Sequence, residues 1–263
     1  MIAVLCVECG VGGMALIERV LHRIWPTRVI GGGKAAGLKL VAARADPDFA
    51  LGVYELPMQE AIAASLREGD VFYDIGANIG FFSLIAARCV RAAGRVYAFE
   101  PVPANADAIR KSSTLNGMNM IDVFAEAVGA ESGCGELLLA RHIGGAALAS
   151  AGAPPDLRGR IKVDVVAIDH VVARRGMRPP TLVKIDVEGA EMDVLRGMRG
   201  TIQRWRPTII YEVDDATREG LERKMDVIAS FMRSTEYKLT MLSASYRDAS
   251  WHVEHVLVRP VEH

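Results

Sequence analysis

Four short apolar segments of this chain each end in an acidic residue. They are Val71-Phe72-Tyr73-Asp74, Val96-Tyr97-Ala98-Phe99-Glu100, Leu182-Val183-Lys184-Ile185-Asp186 and Ile209-Ile210-Tyr211-Glu212. Short runs rich in Val, Ile and aromatic residues are typical of strands that are buried on both faces of a parallel sheet. Ligands of such sheets bind beyond the carboxyl ends of the strands. The sequence therefore predicts a binding edge with four carboxylates, which suits a positively charged, hydroxylated ligand and disfavours a phosphate-rich one.

Helical patterns alternate with these strands along the chain. The predicted helices cover residues 57–66, 81–90, 104–115, 168–174, 190–204 and 217–233. The predicted strands cover residues 71–75, 95–100, 121–125, 161–166, 181–186 and 208–213, followed by 237–242 and 253–258. This alternation predicts an α/β fold with a doubly wound, mostly parallel sheet and an antiparallel addition at its C-terminal end.

Two segments stand outside that alternation. Residues 1–56 form a predicted N-terminal extension, with an amphipathic helix around Leu16–Ile24 and a short strand at 38–42, and residues 57–263 form the main domain. The segment Gly31-Gly32-Gly33-Lys34 lacks the spacing of a phosphate loop, so we interpret it as a turn. Residues 128–159 are rich in Gly and Ala, and we expect an irregular loop or lid there, with at most a short strand at 136–139.

Composition excludes several classes of protein. The 263 residues carry a formal net charge of −1, so no overall field favours nucleic acid or an anionic membrane. The apolar start lacks a basic region and is interrupted by Glu8, so we expect neither a signal peptide nor stable membrane insertion. Four scattered cysteines (Cys6, Cys9, Cys89 and Cys134) fit a reduced, cytoplasmic chain. The Cys6–Cys9 pair alone is a weak indication of metal binding.

A glycine-containing turn follows the first of the four strands. It reads Asp74-Ile75-Gly76-Ala77-Asn78-Ile79-Gly80, and Glu100 stands where an acid holds ribose hydroxyls in nucleotide-binding α/β folds. The dinucleotide fingerprint needs a glycine where Asn78 stands, and Asp74 would repel a pyrophosphate. A nucleoside without phosphates that carries ammonium and sulfonium cations fits both features. The pattern therefore indicates S-adenosylmethionine as the cofactor.

Three further segments accompany this turn: Phe99-Glu100-Pro101, Lys184-Ile185-Asp186-Val187-Glu188-Gly189-Ala190-Glu191, and Arg206-Pro207 ahead of the last apolar run. With them the chain resembles the FkbM-like family of class I S-adenosylmethionine-dependent methyltransferases, over roughly residues 50–258. The resemblance implies O-methylation of a small-molecule hydroxyl, such as one on a sugar, a polyketide or another secondary metabolite. It also implies the cofactor-binding residues, which are Asp74, Gly76, Ala77, Asn78, Gly80, Glu100, Pro101, Glu126, Ala127 and Asp186. Among these, Glu100 would hold the ribose, and Glu126 and Ala127 would lie near the adenine.

Methylation of an alcohol benefits from a base that removes the hydroxyl proton. Asp186 and Glu188 are the first candidates, and Glu212 and His142 follow. Lys184 is unusual within an apolar strand and needs a charged partner, which we expect among the neighbouring carboxylates. Glu191 at a helix start complements the helix dipole or belongs to the site. The carboxylates are suitable ligands for a divalent ion, but no precise ligand pattern accompanies them, so no metal is predicted.

Two other functions remain open at this stage. One is a non-catalytic nucleotide-fold module that binds a partner through its first fifty or so residues. The other is an NAD-dependent oxidoreductase. Carboxylates at every strand end argue against the first, and the missing glycine of the dinucleotide fingerprint argues against the second. The acceptor, the position methylated and the oligomeric state are not indicated.

Overall fold

A seven-stranded sheet forms the centre of the protein. The computed structural model describes residues 27–41, 46–140, 146–149, 157–245 and 252–261. The sheet has the spatial order β12-β13-β11-β10-β3-β4-β5, and β13 is antiparallel to both of its neighbours while the other pairs are parallel. Its strands are β3 (Val71–Ile75), β4 (Arg95–Phe99), β5 (Ile121–Phe124), β10 (Leu182–Ile185), β11 (Thr208–Asp215), β12 (Tyr237–Met241) and β13 (His252–Pro260).

Helices cover both faces of this sheet. They are α1 (Pro47–Leu51), α2 (Leu56–Ser65), α3 (Phe81–Val90), α4 (Pro103–Leu115), α5 (Ile168–Arg174), α6 (Glu191–Gly197), α7 (Arg199–Trp205) and α8 (Arg218–Ser234). Alternate residues of the central strands explain this arrangement. Phe72 and Leu182 pack with α2, α3 and α4, whereas Tyr73 and Val183 pack with α5 to α8. The predicted doubly wound α/β fold with an antiparallel C-terminal addition is thus confirmed.

The region from 128 to 159 differs from the prediction. A second, four-stranded sheet of order β6-β9-β7-β8 occupies it, and the expected irregular loop is wrong for the described residues. Its strands are β6 (Ala127–Val128), β7 (Gly133–Ala140), β8 (Ala146–Leu148) and β9 (Leu157–Val166). Small residues are needed here: a side chain on Gly135 would lie 2.8 Å from the Val165 side chain. Gly135 therefore leaves room for the Val165 side chain on the neighbouring strand β9.

The N-terminal part of the described chain packs on the main sheet. Strands β1 (Thr27–Val29) and β2 (Lys39–Val41) form a hairpin, and Ile30 and Leu40 belong to the same apolar core as Phe72. The fully buried Gln59 of α2 ties this part together, because it accepts a hydrogen bond from the Lys34 amide at 2.8 Å. The predicted helix around Leu16–Ile24 and the Cys6–Cys9 pair lie outside the described residues.

None of the helices in the described part of the chain is long and apolar enough to cross a bilayer. Cys89 and Cys134 are free thiols.

Candidate active site

A cavity of about 540 Å³ opens at the carboxyl edge of the main sheet. Its floor is formed by residues that follow β3, β4 and β10 or end the apolar run of β11. One wall comes from the N-terminal part of the chain, and another comes from the small four-stranded sheet. The lining residues predicted from the sequence are Gly76, Asn78, Glu100, Pro101, Glu126, Ala127, Asp186, Glu188 and Glu212. Most of the residues predicted from the strand-end pattern therefore lie around this one cavity.

The turn after β3 is held in a left-handed conformation that few residues adopt. Gly76 has φ 76°, and a Cβ atom there would collide with the carbonyl oxygen of Asp186. Gly80 has φ 85° and meets the side chain of Ile109. Between them, Asn78 has φ 50°, which costs a non-glycine residue free energy. The turn therefore brings Gly76 and Asn78 to the cavity lining just before α3 begins.

Beneath this turn lies a buried cluster of Asp74, Lys184 and Asp186, which we call the Lys184 cluster. The Nζ atom of Lys184 lies 3.1 Å from Asp186 Oδ2 and 3.5 Å from Asp74 Oδ1, and it donates to the Gly76 carbonyl at 3.1 Å. Ser83 donates to Asp74 at 2.5 Å. The prediction that carboxylates pair with Lys184 is confirmed. Asp74 is fully buried and does not line the cavity, so it acts on the turn through Lys184.

The charges of this cluster depend on one another. Burial lowers the pKa of Lys184, but the carboxylates of Asp186 and Asp74 outweigh burial, so the pKa is raised overall. Burial raises the pKa of Asp74, and Lys184 and Ser83 oppose that rise. The ammonium is thus held in its charged form and compensates two carboxylates, of which only Asp186 reaches the cavity.

Glu100 organises the loop that follows β4. Its two carboxylate oxygens accept hydrogen bonds from the backbone amides of Asn78 and Val102, each at 2.8 Å. Burial raises the pKa of Glu100 to about 7, although these amides and Asn105 act in the opposite direction. The carboxylate therefore fixes the glycine-containing turn relative to β4 and still lines the cavity.

At the β5 side of the cavity, Glu126 forms a two-pronged ion pair with Arg175 at 2.6 and 2.8 Å. Side-chain exposure is 17% for Glu126 and 39% for Arg175. Ala127 begins β6 beside this pair. The Arg175 guanidinium therefore compensates Glu126 from outside, because Arg175 is not among the residues that line the cavity.

Two glutamates follow β10. Glu188 has φ 55° and lines the cavity, where its side chain is exposed. Partial loss of hydration inside the cavity raises the pKa of Glu188, and like charges on the same edge raise it further, in the order Asp186, Asp214, Glu212 and Glu191. Glu191 is buried and accepts from the Gly189 amide at 2.9 Å, and burial raises its pKa to about 7. Glu191 thus stabilises the start of α6 and does not line the cavity.

Glu212 belongs to a second buried cluster with Glu55 and His255, which we call the His255 cluster. The Nε2 atom of His255 lies 2.7 Å from Glu212 Oε2 and 3.4 Å from Glu55 Oε2. Glu212 on β11 and His255 on β13 are direct cross-strand neighbours, and Glu55 precedes α2 with φ 43°. Of the three, only Glu212 lines the cavity.

Glu212 and His255 form a close acid–base pair, with Nε2 2.7 Å from Oε2. Burial lowers the pKa of His255, but hydrogen bonds to Glu212 and Glu55 raise it overall to about 10. Burial, followed by repulsion from Asp186, raises the pKa of Glu212. Both pKa values are raised, so the Glu212 carboxylate and the His255 imidazole compete for one proton. We assign that proton to the imidazole, since two carboxylates contact a single ring nitrogen.

Several lining residues were not indicated by the sequence patterns. Asp46, Pro47, Phe49 and Tyr54 come from the N-terminal part of the chain, and the rings of Phe49 and Tyr54 stack at 3.9 Å. The small sheet contributes four apolar residues, which are Val128, Leu137, Ala146 and Leu148. Predicted residues Ala77 and Gly80 shape the turn without lining the main cavity, and His142 lies outside the described residues.

The charged side chains in the described lining of the cavity are all acidic. Its described lining includes six carboxylates, those of Asp46, Glu100, Glu126, Asp186, Glu188 and Glu212, and includes no Lys, Arg or His. Such a lining favours a cation and repels anionic groups. The aromatic pair and the small sheet supply apolar surface beside these charges.

Comparison with known proteins agrees with this geometry. The sequence profile of the Methyltransferase FkbM domain matches residues 74–239, which is more than half of the chain. A structure from Clostridium thermocellum, proposed to be an rRNA methylase, aligns with 78% of this chain and 95% of its own at a TM-score of 0.50 and 12% identity. Together with this family match, the fold is that of the class I methyltransferases.

Two curated relatives make the assignment more specific. The chain is 30% identical over 176 residues to the 31-O-demethyl-FK506 methyltransferase FkbM of Streptomyces tacrolimicus, covering 57% of this chain and 67% of that protein. It is 28% identical over 152 residues to the hexuronic acid methyltransferase AglP of Haloferax volcanii, covering 57% of each chain. The match thus spans little more than half of AglP. The chain belongs to the FkbM family of methyltransferases.

Proposed function

We propose that this protein transfers a methyl group from S-adenosylmethionine to a hydroxyl of a small molecule. The observation that carries the proposal is the cavity lining, with six carboxylates and no cationic side chain among its described residues. A donor with ammonium and sulfonium charges fits this lining, whereas these carboxylates would repel the pyrophosphate of NAD. Membership of the FkbM family supports the same reaction.

The residues around the cavity fit the parts of this cofactor. The glycine-containing turn, held by Lys184 and Glu100, leaves backbone next to the cavity for the methionine portion. Asp186 offers a carboxylate to the ammonium group, and Glu100 with Pro101 lies where the ribose is expected. Glu126 and Ala127 line the β5 side, where the adenine is expected. When bound, the cofactor supplies an electrophilic methyl group on a positively charged sulfur.

Glu212 is the base that this arrangement favours. Asp186 is committed to Lys184 at 3.1 Å, whereas burial, followed by repulsion from Asp186, raises the pKa of Glu212 to about 8, which suits a base that works near neutral pH. Glu188 is solvent-exposed on the loop after β10. Glu212 would accept the proton of the acceptor hydroxyl while that oxygen is methylated by the bound donor. Asp186, Glu188 and His142 are the alternative bases.

The lining also bears on the acceptor. The relatives methylate a hexuronic acid and an FK506 precursor, as their names state. An acceptor carboxylate in this cavity would face the repulsion described above, whereas a neutral hydroxylated molecule would pack on Phe49 and Tyr54. We therefore propose an uncharged acceptor, such as a neutral sugar or a polyketide.

Two measurements test this function. Calorimetry should detect one S-adenosylhomocysteine per chain and no NAD; binding of NAD without S-adenosylhomocysteine would contradict the proposal. A panel of neutral sugars, uronic acids and macrolides, incubated with a labelled methyl donor, should give alkali-stable ether products from neutral acceptors. Labelling confined to uronic acids or to amines would contradict the proposed acceptor class.

A further inference from the structure

The His255 cluster joins three parts of the chain that are remote in sequence. Glu55 comes from the loop before α2, Glu212 from β11, and His255 from the antiparallel strand β13. Relative exposure is 5% for Glu55 and 3% for His255, while the Glu212 side chain is 19% exposed, on the cavity side. Glu212 is therefore the one member of this cluster that solvent and ligands reach, and a buried cross-strand contact links it to His255.

Charged side chains on and after the neighbouring strands surround this cluster. Asp186 after β10 repels Glu212, and Glu188 and Asp214 are further acids of the same edge. Lys184 on β10 interacts with Glu55 and provides a second cation. A protonated His255 therefore offsets part of a strongly negative surrounding, and its loss would leave Glu212 among like charges.

We propose that His255 and Glu55 are positioning residues for Glu212, and that they hold its carboxylate in the orientation and ionisation state of a general base. This inference rests on the proposed function. His255 donates to Glu212 Oε2, so the other oxygen is the one that receives the acceptor proton. Glu55 contacts the same Nε2 atom and keeps the imidazole protonated and fixed. Neither residue touches the acceptor.

A divalent ion held by the same three residues is the competing arrangement, since their ligand atoms lie within 4.8 Å of one another. The 2.7 Å separation of Nε2 and Glu212 Oε2 is that of a charge-assisted hydrogen bond, which is the arrangement that the proposal uses.

The first test uses the pH profile of kcat with an acceptor identified by the labelling panel. In His255→Gln the cationic neighbour of Glu212 is gone, so the pKa of the base rises and the acidic limb moves to higher pH. Turnover near pH 7 should fall about tenfold or more and recover at higher pH. In Glu55→Gln a repelling carboxylate is gone, so the acidic limb should move to lower pH. Opposite shifts are not expected from a merely structural role.

Controls keep the failures separate. His170→Gln, at an exposed histidine on α5, should leave the profile unchanged. A wild-type protein that neither binds S-adenosylhomocysteine nor transfers methyl would contradict the proposed function, whereas normal turnover with an unmoved limb in folded His255→Gln would overturn only the positioning role.

A second readout does not require activity. In nitrogen-15 NMR of histidine-labelled protein, His255 should stay protonated above pH 8 and titrate at lower pH in Glu212→Gln and in Glu55→Gln. Titration near the ordinary value in the wild type would overturn the proposal. So would stoichiometric binding of Mn²⁺ or Zn²⁺ that disappears in His255→Gln, because it would show that these side chains ligate an ion.

Discussion

The Lys184 cluster and the His255 cluster have the same plan but opposite properties. Each places one cation between two carboxylates at the same edge of the main sheet, and β10 and β11, which carry Lys184 and Glu212, are neighbours. The Lys184 ammonium also donates to the carbonyl of Gly76, so the Lys184 cluster supports the backbone of the turn. His255 instead contacts side chains of the cluster, and its proton is exchangeable in the accessible pH range.

This difference separates support from chemistry. A permanently charged ammonium suits a cluster that only has to keep two carboxylates in place. An imidazole can respond to the protonation of its partner, which suits a cluster with one carboxylate open to the cavity. We therefore expect variants of the Lys184 cluster to affect stability and cofactor binding, and variants of the His255 cluster to affect turnover.

The largest effect is expected from Lys184→Met, which removes the buried cation at similar volume. Asp74 and Asp186 lose their partner, and breaking a buried pair in this way costs about 3–5 kcal/mol. The free energy of unfolding in urea should fall by that amount. Lys162→Met on the exposed face of β9 is the matched control.

Adding Asp74→Asn to Lys184→Met should restore part of the stability, because the uncompensated charge is then gone. A single variant as stable as the wild type would show that the Lys184 cluster does not support the turn.

Glu212→Gln should give the next largest effect, on turnover. The amide keeps the shape and still accepts from His255 but cannot take a proton, so kcat should fall about 10²-fold or more. The affinity for S-adenosylhomocysteine, measured by calorimetry, should change little. Glu222→Gln, on the exposed face of α8, serves as control. A variant with normal turnover on its acceptor would move the role of base to Asp186, Glu188 or His142.

Asp186→Asn tests whether the two clusters are really different. If Asp186 holds the cofactor together with Lys184, affinity and turnover should fall together, by about tenfold, the value of one charge-assisted hydrogen bond. Calorimetry and saturation kinetics on the same preparation measure both. A loss of turnover of 10²-fold with unchanged affinity would break the comparison, because it would make Asp186 the base.

Sequence patterns indicated the Lys184 cluster because Asp74, Lys184 and Asp186 lie in or directly after continuous apolar runs, which are the signature of fully buried parallel strands. The carboxyl ends of such strands meet at one edge of the sheet, so strand-end residues 110 positions apart are still expected to be neighbours. The same reasoning placed Glu212 at the edge. Strands at 161–166 and 136–139 were predicted, but their pairing into a second sheet was not, because the surrounding glycines resemble loop residues. The alternation of Ile161, Val163 and Val165 with polar positions extends back to Leu157, and this was the available signal for the full length of β9.

The His255 cluster could not be predicted in this way. Glu55 and His255 are separated by 200 positions, and no local spacing relates them. Their contact depends on the antiparallel register of β11 and β13 and on the packing of the N-terminal part against the sheet. The same packing brings Phe49 and Tyr54 to the cavity. In the sequence, Phe49 and Tyr54 look like any aromatic residues near a loop, and no local pattern indicates that they line a site.

The smallest effect is expected from the exposed ion pair of Glu126 and Arg175. Its geometry is nearly ideal, with two contacts of 2.6 and 2.8 Å, but Arg175 is 39% exposed and water screens the pair. Arg175→Met should therefore lower the free energy of unfolding by at most about 1 kcal/mol, and less at high salt. Glu126 would then face the cavity uncompensated, so affinity for the cationic donor should rise slightly at low ionic strength. Urea unfolding and calorimetry at two salt concentrations measure both, with Arg110→Met at another exposed pair as control. A loss comparable to that of Lys184→Met would show that exposure does not distinguish this pair from the buried clusters.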